Sequence, residues 1–284
     1  MSSDALLSAA SLEGSIDVAG RCDTGRRRSH NEDCMTLDAA RGLVIVADGM
    51  GGHNAGEVAS RMAVDSIHEA LCDGLGDLGD NTDDEPAAHF SHQGTLLRRA
   101  IEQSNRIISQ AARSQKKLEG MGTTVVSALF HDDTLSVAWV GDSRLYRYRA
   151  GRLEQMTRDH TLLQELVDRG FYSPEEARAS LNRNIVTRAL GVEESVAVDL
   201  IEDVVLPGDR YLLCSDGLND MISDVDIARI LGAPTAGLDT IAGELVAQAN
   251  EQGGHDNITA AVIEVLRPFP VRRSWFRRVV DWFQ

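Results

Sequence analysis

Apolar residues change their period several times along the chain. GSIDVAGRCD (14–23) alternates apolar and polar positions, which predicts a strand with one buried face. RGLVIVADG (41–49) is a short unbroken apolar run closed by Asp-Gly, and it predicts a buried strand entering a loop. From Gly56 onward, Val58, Ala59, Met62, Ala63, Ile67, Ala70 and Leu71 recur at helical spacing. A second helix carries Leu97, Ala100, Ile101, Ile108 and Ala111. Strands return over 122–151, with His131-Asp132-Asp133 as a tight turn between two of them. There Tyr146 and Tyr148 alternate with Arg147 and Arg149, as on a half-exposed sheet. Residues 159–190 read as irregular and partly helical, with Pro174 starting a short helix. Strands near 197–203 and at Arg210–Cys214, helices near 224–232 and 237–252, and a last strand NITAAVIEV (257–265) complete the pattern. Strands in runs with helices in pairs predict an α+β fold with antiparallel sheets, not a regular βαβ array.

Composition narrows the function. The chain has 284 residues, 43% hydrophobic and 25% charged, enough for a large core. Its net charge of −16 repels a phosphate backbone, so no nucleic-acid partner is expected. That balance suits a protein that gathers carboxylates around divalent cations. Cys22, Cys34, Cys72 and Cys214 form no C-x-x-C pair, which excludes the usual zinc and redox motifs and points to thiols of a reducing compartment. The first 14 residues are small and polar, a flexible arm without a basic signal-peptide region. No apolar run approaches the roughly 18 residues of a membrane span. A cytoplasmic monomer is expected. Segment 73–95 holds Asp73, Asp77, Asp80, Asp83, Asp84 and Glu85 without a Lys or Arg, and is read as an acidic loop. It lacks the ligand alternation and terminal Glu of an EF-hand.

Five short segments place an acidic residue at a strand end or beside glycine: HNED (30–33), VADGMGG (46–52), VGDSR (140–144), CSDG (214–217) and HDN (255–257). A lone Asp-Gly is ordinarily a turn. Five such sites, gathered by a sheet, would bring Asp33, Asp48, Asp142, Asp216 and Asp256 together, and their mutual repulsion calls for cations. Hard oxygen donors select magnesium or manganese over zinc or copper. Two such ions about 3.5–4 Å apart generate a nucleophile and clamp a phosphoryl group. GRRRSHNED adds a cationic fork, and Arg28, just before Asn31-Glu32-Asp33, is the candidate to hold phosphate oxygens bidentately.

With these motifs in order, the sequence resembles the bacterial branch of the protein phosphatase 2C family, metal-dependent Ser/Thr phosphatases. The resemblance covers residues 15–266 and rests on G-x-x-R-x-x-N-E-D at Gly25–Asp33, VADGMGGHNAGEVAS (46–60), GMGTT (120–124), VGDSR, TRDHTLLQELVDRG (157–170), TRALG (187–191), CSDGL (214–218) and GGHDNIT (253–259). It implies a four-layer α/β/β/α sandwich with metals at one end of the two sheets. It further implies that Asp48 bridges two Mn2+ or Mg2+ ions, with the Gly49 carbonyl at one and Asp216 and Asp256 at the other. Glu32 and Asp33 act largely through water, Asp142 holds a third ion, and Asn257 orients Asp256 or a water. Residues 158–190 correspond to the flap beside the active site.

The implied activity is hydrolysis of phosphoserine and phosphothreonine on proteins by in-line attack of a metal-bridging hydroxide. Arg28 would hold the phosphate, and a cognate Ser/Thr kinase would act in opposition. Two rivals are a phosphatase-like sensor or scaffold without turnover and a hydrolase of small phosphoesters. Retention of every expected metal aspartate argues against the first, and absence of a Walker-type loop gives the second no nucleotide cradle. One departure matters: Met50 stands where the eukaryotic branch has its general-acid histidine. His53, His160 or a metal-bound water would protonate the leaving alkoxide instead, with a flap-anchoring hydrogen bond the favoured role of His160. The tail 267–284 carries Arg267, Arg272, Arg273, Arg277 and Arg278 beside Trp275, Phe276, Trp282 and Phe283. It is open to two readings: a helix docked on the domain, or a recruitment helix for an anionic membrane surface or a partner groove.

Overall fold

The computed structural model describes Leu12 and residues 14–52, 55–76, 90–173, 176, 185–234 and 236–269. In β3 (Leu43–Met50), Val44 and Val46 turn to one side and Leu43, Ile45 and Ala47 to the other, and all five are buried. A strand covered on both faces has no polar face to display, hence its unbroken apolar sequence. One sheet runs β2 (Asp33–Asp38), β3, β5 (Val125–His131), β6 (Thr134–Val140) and β9 (Asp199–Val204), with β4 (Gly122–Thr123) paired to the end of β3. The other runs β1 (Ile16–Asp23), β11 (Ile258–Val265), β10 (Arg210–Cys214), β7 (Arg144–Arg149) and β8 (Arg152–Gln155). The strand pairs of both sheets are antiparallel.

The inner faces meet through Val44, Val46, Val126, Phe130 and Val137 on one side and Leu145, Tyr211, Leu213, Ala261 and Ile263 on the other. Helices α1 (Ala55–Gly76) and α2 (His92–Ser114) cover the outer face of the β3 sheet through Ala59, Ala63, Ile67, Leu97, Ile101 and Ile108. Two short helices, α3 (Leu162–Asp168) and α4 (Asp216–Asn219), follow strand ends. The pair α5 (Asp224–Leu231) and α6 (Leu238–Glu251) covers the opposite sheet through Ile227, Ile241 and Leu245 on Leu212, Ala260 and Val262. Three apolar clusters thus separate four layers, the expected α/β/β/α sandwich of two antiparallel sheets flanked by helix pairs. The β5–β6 hairpin turns at Asp132 and Asp133, both with positive φ (42° and 61°), as a two-residue connection requires.

Several boundaries differ from expectation. Both ends of the acidic segment 73–95 are helical, because α1 runs to Gly76 and α2 starts at His92. Ser91 caps α2, its Oγ accepting from Gly94 N at 2.9 Å, and Glu202 of β9 receives Ser91 N at 3.0 Å, which fastens the helix start to the sheet. The rest of that segment (77–89) lies outside the described residues. The arm and the tail also begin further out than expected. Leu12 is buried, and Phe269 is only 4% exposed, edge-on to Phe130 with its N–H on Asp133 Oδ1 at 2.9 Å. Both side chains complete the core between the sheets, whose open end would otherwise face water. Residues 270–284, Pro174 and His53 lie outside the described residues. Tyr146 is fully buried, not half-exposed, because α5 and α6 pack over its side of β7.

Candidate metal centre

Strand pairing brings the acidic motifs to one end of the sandwich. Asp33 opens β2 directly opposite Asp48 near the end of β3, and its charge bears on the Asp48 carboxyl. Asp142 follows Gly141 between β6 and β7, Asp216 follows Cys214 at the end of β10, and Asp256 stands before β11. Burial pushes the Asp48 carboxyl well above the usual range, and Asp33, Asp216, Asp142 and Asp256 push it further. Asp216 is raised in the same way, by burial and then by Asp142, Asp220, Asp256 and Asp33. Asp33 and Asp142 are each pushed up to about 6, chiefly by burial. Asp48 thus feels the charge of the other four aspartates, which strand ends and the loops beside them bring to the same end of the sandwich.

The backbone around each carboxylate is fastened. The Asp48 carbonyl accepts from Thr123 Oγ1 and Thr124 N, both at 2.8 Å, which gives the GMGTT motif its local task. Gly49 is pressed between chain segments: a Cβ there would lie 2.1 Å from the Gly56 carbonyl oxygen and 2.6 Å from that of Glu32. Only glycine admits that approach. Asp33 Oδ2 accepts from Ser215 Oγ (2.7 Å) and Thr259 Oγ1 (2.6 Å), so residues of the opposite sheet orient it. Asn257 ties the Arg28 loop to β11: its Nδ2 donates to the carbonyls of Thr24 and His30, both at 2.9 Å, and its Oδ1 accepts from Glu32 N at 2.8 Å. Asp256 is reached by the Asn257 backbone N–H (2.8 Å), not by its side chain. Glu32 is raised mainly by burial, with the Arg28 guanidinium and the Gly56 N–H opposing.

Arg28 is half exposed and donates to Asp256 Oδ2 at 2.6 Å. The expected phosphate fork and an expected metal ligand therefore hold each other. Asp33 Oδ1 and Asp216 Oδ1 are buried without a hydrogen-bond partner among the described residues. A buried carboxylate oxygen left unpaired is costly, and a hard cation is the partner such oxygens suit. Among the described residues, no group of three or more His, Cys, Asp or Glu side chains is placed so that it could by itself hold a metal ion. Magnesium-type sites use few carboxylates and retain several waters, so this donor set fits such an ion without a closed cage.

His160 lies near the start of segment 158–190 and is buried. Its Nδ1 accepts from Gly141 N at 3.0 Å, its Nε2 faces Asp199 Oδ2 at 3.3 Å, and its ring stacks on Trp139. Those partners describe a neutral ring with its proton on Nε2. Burial and then Arg188 hold its pKa below the ordinary histidine value. The returning end of the segment meets its start through Thr187 N on the His160 carbonyl (2.8 Å) and Leu162 N on the Ile185 carbonyl (2.9 Å). Sequence reasoning passed over Asp220, one helical turn after Asp216 and part of the field on both Asp142 and Asp216. Its signal was the i, i+4 spacing in CSDGLND. Ser215, Thr259 and Thr123 were passed over as well, since hydroxyls beside acidic motifs carry no periodic signal.

Known proteins resemble this chain in sequence and fold. A serine/threonine phosphatase, stp, of Listeria monocytogenes is 40% identical over 249 residues, covering 86% of this chain and 94% of its own length. The crystal structure of the Mycobacterium tuberculosis serine/threonine phosphatase PstP/Ppp is 39% identical, covers 89% of this chain and 99% of that one, and superposes with a TM-score of 0.76. A PstP catalytic domain solved in complex with two manganese ions, 39% identical over the same shares, gives 0.74. The sequence profile of the family described as Protein phosphatase 2C matches residues 25–249, a span that contains Arg28, Asp33, Asp48, Asp142 and Asp216. With most of its length matched and its strand ends meeting in one carboxylate cluster, the chain belongs to the protein phosphatase 2C family.

Proposed function

We propose that the chain is a metal-dependent protein phosphatase that hydrolyses phosphoserine and phosphothreonine, opposing a Ser/Thr kinase of the same cell. The observation that carries this reading is the meeting of five aspartates with two unpartnered buried carboxylate oxygens, within reach of an arginine. Asp48 and the Gly49 carbonyl would hold one Mn2+ or Mg2+ ion, Asp48, Asp216 and Asp256 a second, and Asp142 a third. Glu32 and Asp33 would act through water. When bound, such cations supply water activation near neutral pH and screening of phosphoryl charge.

The chain's own residues do the rest. Arg28 receives two phosphoryl oxygens, its planar fork matching their geometry. Ser215 and Thr259 keep Asp33 oriented, and Asn257 keeps the Arg28 loop against β11. His160 is fully engaged with Gly141, Asp199 and Trp139, so we assign it to anchoring the flap. Of the two candidate histidines, His53 is then the one left for protonating the leaving alkoxide, with a metal-bound water as the alternative. A cysteine nucleophile is disfavoured: burial pushes the Cys214 thiol, beside Asp216, up to about 12, opposite to what thiolate chemistry needs.

The test is parallel turnover of a phosphothreonine peptide, a nucleotide and p-nitrophenyl phosphate, with Mn2+ and with EDTA. Peptide hydrolysis that EDTA abolishes is expected. Turnover of the small esters alone would reject a protein phosphatase. At neutral pH His53→Ala should slow the peptide far more than p-nitrophenyl phosphate, whose leaving group needs little protonation. Equal loss on both would remove His53 from proton transfer.

A further inference from the structure

The segment leaving the flap leans on α2, away from the carboxylates. Asn105 of α2 is wholly buried and commits its entire amide to that segment. Its Oδ1 accepts from Gly191 N at 2.8 Å, and its Nδ2 donates to the carbonyls of Glu193 and Glu194, each at 3.2 Å. Gly191 has a φ of 88°, and a Cβ on it would come within 2.5 Å of Ile108 Cγ2, so glycine is what lets the loop lie this close to the helix. The loop offers one N–H and two carbonyls. A neutral amide answers all three, whereas a carboxylate would face two carbonyl oxygens and an aliphatic side chain would leave all three unpaired.

One residue earlier, Leu190 bridges to Thr123 in both directions, Leu190 N to the Thr123 carbonyl at 2.8 Å and Thr123 N to that of Leu190 at 3.1 Å. Thr123 Oγ1 then shares its proton between the Asp48 carbonyl at 2.8 Å and the Thr124 carbonyl at 2.9 Å. Asn105, Leu190 and Thr123 are each fully buried. Water therefore has no ready access to replace a link, and displacement at one end is felt at the other. We propose that Asn105 is a positioning residue of the metal centre: it clamps residues 191–194 so that Leu190 and Thr123 fix the Asp48 backbone, and so sets the affinity for the divalent cation. The proposal rests on reading the carboxylate cluster as a metal site.

The experiment is calorimetric binding of Mn2+ to the EDTA-stripped full chain. Ser104→Ala is the control: Ser104 neighbours Asn105 on α2, is equally buried, and accepts from Ser66 Oγ at 2.8 Å without touching the loop. Both variants should melt earlier. Asn105→Ala should weaken Mn2+ binding about tenfold or more, the size typical of groups that support metal ligands indirectly, and Ser104→Ala should leave it unchanged. Thr123→Val, which removes the middle link, should weaken binding as well, and the two changes combined should cost less than the sum of the separate effects. Unchanged affinity in folded Asn105→Ala, equal loss in Ser104→Ala, or strict additivity with Thr123→Val would overturn the proposal. If Asn105→Ala does not fold, unchanged affinity in Thr123→Val overturns it alone. A wild-type chain that binds no Mn2+ rejects the metal site itself.

Discussion

Asp33 uses its two oxygens differently: Oδ2 takes two hydroxyls from the opposite sheet, and Oδ1 has no hydrogen-bond partner among the described residues. Asp216 likewise keeps one buried oxygen unpaired. Such carboxylates are strained without a cation, so their removal separates function from stability. Asp48→Ala, Asp216→Ala and Asp256→Ala should each abolish metal-dependent phosphopeptide hydrolysis and weaken Mn2+ binding. The metal-free melting temperatures of Asp48→Ala and Asp216→Ala should hold or rise, since one repelling charge is gone, whereas Asp256→Ala also takes away the partner of Arg28. A variant with near-wild-type turnover and bound metal would remove that residue from the site. Arg28→Ala should leave the cations in place but lose a charge-assisted phosphate contact worth about 1.5–3 kcal/mol. Steady-state kinetics should then show kcat/KM lower by about ten- to a hundredfold, mainly through KM.

At the scale of elements, segment 158–190 is held at both ends by buried polar groups. At the entry, Arg144 of β7 grips Asp159 through Nε (3.0 Å) and Nη2 (2.7 Å), and Trp139 Nε1 donates to the Arg158 carbonyl at 2.9 Å. At the exit stand the Leu190–Thr123 bridge and the Asn105 clamp. The Arg144–Asp159 pair is largely buried, with side-chain exposures of 23% and 12%. Breaking it leaves Asp159 with Gln155 alone at 3.0 Å among the hydrogen bonds of its side chain. Arg144→Ala should therefore cost about 3–5 kcal/mol in urea unfolding, the scale of a buried ion pair that loses one partner. A loss below about 1 kcal/mol, the scale of an exposed pair, would show that water screens this contact.

For the whole molecule, the carboxylate cluster sets a pH dependence opposite to that of most acidic proteins. Asp33 and Asp142 keep their protons to about pH 6 in the folded chain, and Asp48 and Asp216 are also raised. Between the ordinary carboxylate range and about 6, the native state binds more protons than the unfolded chain, so this contribution to stability is lost as pH rises. Melting of the EDTA-treated protein should fall between pH 5 and 7, and Mn2+ at pH 7 should restore it. A flat metal-free profile would mean that the carboxylates relax apart. The far end of the sandwich makes a second global test. Ending the chain after Phe269 should preserve thermal stability, whereas ending it after Arg267 removes a buried ring and should cost about 3–5 kcal/mol. Equal melting of the two truncations would place Phe269 outside the core.

Much of this was legible without coordinates because it depends on neighbours a few residues apart. The two-sided burial of β3, the helical repeats of α1 and α2, the Asp132-Asp133 hairpin and the acidic strand ends follow from side-chain period and local sterics. So did the expectation that antiparallel strands would collect those acids. What tertiary structure alone decided was which partner each polar group found. Arg28 pairs with Asp256 across 228 residues, Ser215 reaches Asp33 across 182, and Asn105 takes Gly191 across 86. Leu12 and Phe269 entered the core for the same reason: the open end between the sheets exists only once both have packed. Periodicity reports which face of a segment avoids water, whereas a hydrogen bond or a filled gap depends on the distance between segments, and that distance exists only in the folded chain.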